Sequence, residues 1–87
     1  MEQTIDVSTL EPPEPLERIL DALADLPPGD WLRVTHRRDP VPLYSMLRDM
    51  GYRWDTRHPA PEQFEILIWP ADMRAPDGAG GHGADRT

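Results

Sequence analysis

Three prolines near the start of the chain constrain the fold more than any other feature. Pro12, Pro13 and Pro15 follow a short segment of alternating polar and apolar residues. Proline lacks the N–H that a strand ladder needs, but it is tolerated in the first turn of a helix. Apolar residues then recur at the spacing of an amphipathic helix, at Leu16, Ile19, Leu20 and Leu23. The sequence therefore predicts a strand over residues 4–7 and a helix that ends near Leu26.

The next part of the chain is again predicted to form a strand followed by a helix. Residues 31–36 alternate in polarity and predict a second strand. Asp39 followed by Pro40 is typical of a helix start, with Asp39 as the N-cap and Pro40 in the first helical position. The apolar residues of this second helix are Leu43, Met46, Leu47 and Met50. Gly51 predicts a left-handed stop.

Two further strands complete the predicted sheet. Residues 52–57 alternate in polarity, and residues 59–61 predict a proline-rich loop. Residues 64–69 form the most apolar strand, which favours a central position. The order β-α-β-α-β-β predicts an α+β fold, a two-layer α/β sandwich with two helices on one face of a four-stranded mixed sheet. We expect the strand centres near Ile5, Val34, Trp54 and Ile66.

The 87 residues are enough for one small domain. We assign residues 3–70 to this domain. Residues 71–87 have no periodicity and few large apolar side chains, so we expect a disordered C-terminal tail. The residues that we expect to be buried are Leu16, Ile19, Leu20, Leu23, Leu32, Val34, Leu43, Leu47, Phe64, Ile66 and Ile68.

The composition excludes several classes of function. The chain has no cysteine, which removes thiol chemistry, and no lysine, which removes Schiff-base catalysis. Its net charge of −7 argues against nonspecific nucleic-acid binding. Residues 31–58 nevertheless hold six arginines against three aspartates and could present a local basic surface. No apolar run approaches transmembrane length and no signal-peptide pattern is evident, so we expect a cytoplasmic protein without membrane association.

The proline-rich run also carries a family resemblance. Its residues are Leu10, Glu11, Pro12, Pro13, Glu14, Pro15 and Leu16. They resemble the signature of the TusA/SirA sulfur-carrier family, in which a Leu-x-Cys-Pro-x-Pro-Leu run places a persulfide-forming cysteine at the start of the first helix. Here Pro12 takes the cysteine position. The resemblance implies the two-layer fold without the sulfur chemistry, because proline offers no nucleophile.

A closer resemblance is to a cysteine-free bacterial branch of that fold, a domain of unknown function. It shares the Leu-x-Pro-Pro-Glu-Pro-Leu run, a Pro-Pro-Gly turn and a His-x-x-x-Pro-x-Pro-Leu-Tyr run, which spans residues 36–44 here. In some members this domain accompanies hemerythrin-like or metal- and nitrogen-oxide-related proteins. The resemblance therefore implies a link to redox or metal homeostasis.

The first candidate site is the start of the second helix. His36, Arg37, Arg38 and Tyr44 lie around it in the sequence. Backbone N–H groups and the helix dipole favour negative charge at a helix N-terminus, so this run predicts a site for a small anionic ligand. The alternative is a rigid helix start that Asp39 already caps, with solvated arginines.

The second candidate site is the sheet face away from the helices. It is predicted to carry Trp31, Arg33, Arg53, Asp55, Arg57 and Glu65, and Leu67 and Trp69 are further candidates for it. Aromatic side chains interleaved with arginines favour docking of a protein partner or self-association. Nucleic acid is less favoured because of the net charge. The alternative is a half-polar face on which Arg33 or Arg53 pairs with Glu65 across the strands.

The helix-start motif, composed of Pro12, Pro13, Glu14 and Pro15, is a weaker candidate. Glu11 and Glu14 could act as a base or as ligands. Acidic residues at a helix start are ordinarily there to complement the dipole. We therefore expect no catalytic role for this motif.

Taken together, these patterns predict a non-catalytic cytoplasmic binding or regulatory module that needs no cofactor. It would dock a protein partner, a second copy of itself or a small anionic ligand. The alternatives are a ligand- or metal-binding protein that uses residues 36–44, and a nucleic-acid-binding protein that uses the sheet face. An enzyme would instead require convergent polar groups with strongly perturbed pKa values in one pocket.

The lack of cysteine predicts that the protein does not relay sulfur. Incubation with a persulfide donor and labelled sulfur should leave no covalent label, because no thiolate is present to accept it. Mass spectrometry of the intact protein measures the label. Stable transfer of sulfur would contradict this prediction.

The histidines predict no resident metal. His36 and His58 could bind one only with a third ligand, for which Asp39 and Glu62 are the nearest candidates, and their spacing is wide. His82 lies in the glycine-rich tail. Elemental analysis of untagged protein should therefore find no stoichiometric metal. One zinc, copper or iron per chain, lost in His36→Ala, would reverse this expectation.

Overall fold

The computed structural model describes residues 1–76 and contains two helices and four strands. In chain order these are β1 (Glu2–Asp6), α1 (Glu14–Ala24), β2 (Trp31–His36), α2 (Val41–Asp49), β3 (Tyr52–Ala60) and β4 (Gln63–Pro70). The predicted order β-α-β-α-β-β is confirmed. The predicted disorder of residues 77–87 lies outside the described residues.

The four strands form one mixed sheet in the order β1-β2-β4-β3. β1 and β2 are parallel, whereas β4 runs antiparallel to both β2 and β3. The pairs Val34↔Ile66 and Trp54↔Ile68 fix the register of β4 against its two neighbours. The apolar strand β4 is therefore central, as predicted, and β1 and β3 lie at the two edges.

The main core lies between the sheet and the two helices. Its buried residues are Val7, Ile19, Leu23, Leu32, Val34, Leu43, Leu47, Ile66 and Ile68. Leu16, Leu20 and Phe64, which were predicted to be buried, are only half-buried and pack against the margin of this core. The two amphipathic stripes thus share one hydrophobic layer, which confirms the two-layer sandwich.

The start of α2 differs from the prediction. Pro40 occupies the N-cap position and Pro42 lies in the first turn, with no side-chain cap. Asp39 does not cap the helix, and its carboxylate instead accepts a hydrogen bond from the Tyr44 hydroxyl, at 2.5 Å. α2 ends as predicted before Gly51, whose φ of +91° is readily adopted only by glycine.

β3 is longer than its sequence pattern predicts. It was expected to end at Arg57 before a loop over residues 59–61, but it continues to Ala60 with a bulge between Arg57 and Ala60. Pro59 is compatible with the strand because an edge strand can lack one N–H donor without breaking the ladder. Glu62, at φ +66°, then turns the chain into β4.

The sheet face opposite the helices carries a second, smaller cluster. Leu67 and Trp69 of β4 are 6% and 5% exposed, and Trp31, Met73 and Ala75 pack against them. We call residues 71–76 the cover segment. The N–H of Ala71 donates to the carbonyl of Gly51 at 2.8 Å, which fixes the start of this segment.

The cover segment changes two sequence-based expectations. Residues 71–76 belong to the packed domain, although they were assigned to the tail together with residues 77–87. The sheet face is covered around Leu67 and Trp69 instead of being open throughout. In the described part of the chain, neither helix is long and apolar enough to cross a membrane.

The packing predicts a large difference between two positions near the end of α2. Leu47 is fully buried, whereas Met50 is 48% exposed. Leu47→Ala should lower the free energy of unfolding by about 2–5 kcal/mol, because it removes buried methylenes and leaves a cavity. Met50→Ala should cost less than about 1 kcal/mol. Urea denaturation measures both, and equal losses would contradict the assigned orientation of α2.

Candidate functional site

An open groove of about 600 Å³ lies along the first half of β3. We call it the β3 groove. Its lining includes Arg48, Arg53, Trp54, Asp55, Trp69 and Met73. It therefore combines aromatic and aliphatic surface with two guanidinium groups and one carboxylate.

Three local features build the β3 groove. The left-handed turn at Gly51 ends α2 and begins β3, which places Arg48 beside the start of the strand. The pair Arg53↔Trp69 sets the two side chains next to each other across β3 and β4. The bond between Ala71 and Gly51 then brings the cover segment against the same end of the sheet. The groove lies where this segment meets the edge strand.

The two arginines of the groove are electrostatically available. Within residues 1–76, neither Arg48 nor Arg53 has a carboxylate within ion-pair distance. Three other arginines of the basic middle third are paired: Arg33 with Glu2 and Glu65, Arg37 with Glu11, and Arg57 with Asp55. Arg38, before α2, also lies outside these ion pairs, so two of the three arginines of residues 31–58 without an ion pair in the described chain lie at the groove.

Asp55 supplies the negative group of the groove. It is 8% exposed, and Arg57 on the same strand holds its carboxylate at 3.5 Å. A nearly buried carboxylate is tolerated when a cation compensates it. Because Asp55 is nearly buried, the exposed charged groups at the groove are Arg48 and Arg53.

The far end of the same sheet face is closed by internal bonds. The Nε1–H of Trp31 donates to Glu2 at 3.0 Å, and Arg33 donates to Glu2 at 2.8 Å and to Glu65 at 3.2 Å. Hydrogen bonding by Arg33, with smaller help from Trp31, lowers the pKa of Glu2. The cross-strand pair of Arg33 with Glu65 was anticipated as the alternative to docking. Trp31 and Arg33 therefore bond within the chain, whereas Arg53, which was predicted to lie on the same face, makes no such ion pair in the described chain.

The start of α2 is also held by internal contacts. Tyr44 donates to Asp39 and, having a single hydroxyl proton, accepts from Thr56 at 2.6 Å. Its ring stacks on Trp54 with centroids 5.1 Å apart. Burial, with a smaller effect of the Asp39 bond, raises the pKa of Tyr44. Tyr44 therefore faces β3 and not His36, so the structure favours a rigid helix start over a shared pocket.

The basic residues before α2 are likewise oriented by local contacts. The backbone N–H of Arg38 donates to Nδ1 of His36 at 3.2 Å, which places the proton of a neutral imidazole on Nε2. Burial, followed by the charges of Arg37 and Arg38, lowers the pKa of His36. Arg37 is bonded to Glu11 at 3.4 Å, and this pair links the starts of the two helices.

His36 and His58 do not converge with a third ligand. They lie on β2 and β3, and Phe64 of the intervening β4 is paired with His36 and stacked on the His58 ring at 4.0 Å. Across residues 1–76, no three histidine or acidic side chains come together in a way that could hold a metal ion. The four proposed ligands therefore do not form a cluster.

The helix-start motif is a scaffold in this structure. Pro15 is buried in the first turn of α1, whereas Pro12, Pro13 and Glu14 are exposed. The peptide bond between Pro12 and Pro13 is cis. The backbone N–H of Glu14 donates a hydrogen bond to the carbonyl of Glu11 at 2.9 Å, which closes the turn before the helix.

Sequence reasoning did not identify all residues of the β3 groove. Arg53 was predicted as a binding residue, but Arg48 and Met73 were not. Arg48 sits in the last turn of α2, where a basic residue is readily explained by the helix dipole. Met73 follows the last predicted strand in a segment without periodicity. Its isolated apolar side chain, five residues after Ile68, was the one available signal.

Comparisons with known proteins identify a family for this chain. A search of curated proteins and a search of solved structures each returned no match. A family model matches residues 4–70, which cover all four strands except the first residues of β1, and both helices. The chain therefore belongs to the family described as "Uncharacterized conserved protein (DUF2249)".

Proposed function

We propose that this protein is a non-catalytic cytoplasmic binding module whose ligand is a small organic anion with an apolar, preferably aromatic, body. The ligand would lie in the β3 groove. The observation that carries the proposal is the presence of two arginines, Arg48 and Arg53, without carboxylate partners in the described chain, beside an apolar groove.

The size and lining of the groove suit such a ligand. A volume of about 600 Å³ falls within the range of small-molecule sites in proteins. Half-buried Trp54 and Met73 offer aromatic and apolar surface for the body of the ligand, whereas Trp69, which also lines the groove, is only 5% exposed. Guanidinium groups bind carboxylates, sulfonates and phosphates through paired N–H donors, so Arg48 and Arg53 would select a negative group.

The same side chains favour binding over catalysis. Among residues 1–76, the ionisable groups that line the groove are Arg48, Arg53, Tyr52 and Asp55, and the Asp55 carboxylate already pairs with Arg57. Arginine stays protonated in proteins and does not act as a general acid or base at neutral pH. The described residues of the groove therefore offer recognition of charge and shape, and none of them is a nucleophile paired to a base.

Two broader parts of the proposal rest on the sequence resemblance. We infer that the family is a cysteine-free branch of the TusA-like fold, supported by the residue 10–16 run and by the order of the elements. A regulatory link to redox or metal homeostasis stays a prediction. Ligand sensing at the β3 groove would be a simple way for such a module to act.

The proposal predicts that anilinonaphthalene sulfonate, an aromatic anion, binds through the groove arginines. Arg48→Gln and Arg53→Gln should each weaken its binding by roughly three- to tenfold, as expected for loss of one hydrogen bond to a charged group near the surface. Fluorescence titration measures the affinity, and raising the salt concentration should weaken binding to the wild-type chain.

Two matched controls separate recognition of the anion from loss of folding. Arg18→Gln changes an exposed arginine of α1 and should leave the affinity unchanged. N-phenyl-1-naphthylamine, the uncharged counterpart of the probe, should bind all variants alike. Equal affinity of the sulfonate for wild type, Arg48→Gln and Arg53→Gln would refute the proposed site.

A further inference from the structure

β3 is an edge strand, and its sequence allows it to pair with β3 of a second copy of the chain. β3 is the last strand in the order β1-β2-β4-β3, so within residues 1–76 its outer backbone groups are not used by the sheet ladder. An exposed edge of this kind is a ready template for another strand. Residues 52–57 precede the bulge and Pro59, which leaves a regular segment available for pairing.

We propose that two copies of this chain associate by antiparallel pairing of their β3 edges about a two-fold axis at Trp54. This inference goes beyond the binding of an anion and rests on the order of charges along β3. Pairing about Trp54 sets the exposed Arg53 of each copy opposite Asp55 of the other, whose nearly buried carboxylate also pairs with Arg57 of its own strand. Opposite charges that face each other across strands stabilise the pair, and like charges oppose it.

The neighbouring two-fold registers are less favourable. Pairing about Arg53 sets the two copies of that arginine against each other. Pairing about Asp55 opposes the two aspartates and also sets Arg53 against Arg57. Pairing about Thr56 places Asp55 opposite Arg57, but it draws Pro59 and the bulge into the seam, where an N–H donor is missing. The register about Trp54 alone combines complementary charges with regular backbone.

The surroundings of the edge are consistent with a second copy as the occupant. Met50, one of the three large hydrophobic residues that are exposed within residues 1–76, lies just before β3 and would approach His58 of the other copy in this register. The two-fold axis would continue the sheet to eight strands with all four helices on the same face. A small domain without disulfides gains buried area in this way.

Sedimentation analysis of the full chain over a range of concentrations tests the association. The wild type should form a dimer as concentration rises. Arg53→Asp sets aspartate against Asp55 at two places in the seam and should raise the dimer dissociation constant about tenfold. Arg18→Asp, on α1, should leave it unchanged. A wild type that stays monomeric throughout, or an Arg53→Asp dimer as tight as the wild type, would overturn the proposal.

Disulfide cross-linking of introduced cysteines tests the register of the two β3 strands. The natural chain has no cysteine, so each variant carries a single thiol. Chains with Tyr52→Cys are mixed with chains with Thr56→Cys under mild oxidation, and the disulfide products are weighed. Pairing about Trp54 predicts the mixed product, since residue 52 lies opposite residue 56. A predominant Thr56→Cys homodimer would indicate pairing about Thr56 and would contradict the proposed axis, as would the absence of any cross-linked product.

This experiment is separable from the test of the anion site. Arg48 lies on α2 and outside the paired strands, so its replacement reports on the ligand and not on the seam. A dimer with the predicted cross-link and no affinity for the sulfonate would refute the anion proposal alone. A monomer that binds the sulfonate through Arg48 would refute the dimer alone.

Discussion

The central strand β4 buries side chains on both of its faces. The other elements of the fold cover these two faces. Ile66 and Ile68 point into the core beneath the two helices, whereas Leu67 and Trp69 are buried on the opposite face. A strand that is apolar on both sides needs a cover on each. The helices supply one cover, and residues 71–76 supply the other. The β3 groove is formed beside this second cover, where it meets the edge strand.

The distribution of charge follows from the same architecture. At the β1 side of the sheet, Arg33 is neutralised by Glu2 and Glu65, so its charge is compensated within the chain. At the β3 side, Arg48 and Arg53 face the groove without such partners in the described chain. Arg53 is proposed to contact both the organic anion and the second copy of the chain. Binding of the anion and pairing of the edges should therefore oppose each other by linkage.

The sequence predicted the elements that depend on periodicity and turn chemistry. Two amphipathic stripes, the central position of β4 and the left-handed turn at Gly51 all follow from local patterns. The role of Asp39 was missed because an acid before a proline is a common cap, and only the fold shows that Tyr44 claims its carboxylate. The extension of β3 through Pro59 depends on its edge position, which is a tertiary property.

The candidate site was predictable only in part, for a related reason. Arg53 could be placed on the correct sheet face by alternation along its strand. Arg48 and Met73 reach the same groove from a helix end and from the cover segment, and no sequence spacing relates them to Arg53. Packing of residues 71–76 is decided by the apolar surface that β4 leaves exposed, which is visible only after the strand order is known.

The most direct test of this account is whether residues 71–76 cover the second face of β4 in solution. Nuclear Overhauser contacts from the methyl groups of Met73 and Ala75 report this without any substitution. The account predicts contacts to the Leu67 methyls and to the indole of Trp69 or Trp31, with shifted methyl resonances from the aromatic rings. Contacts to sequence neighbours alone, with unshifted methyl resonances, would contradict it.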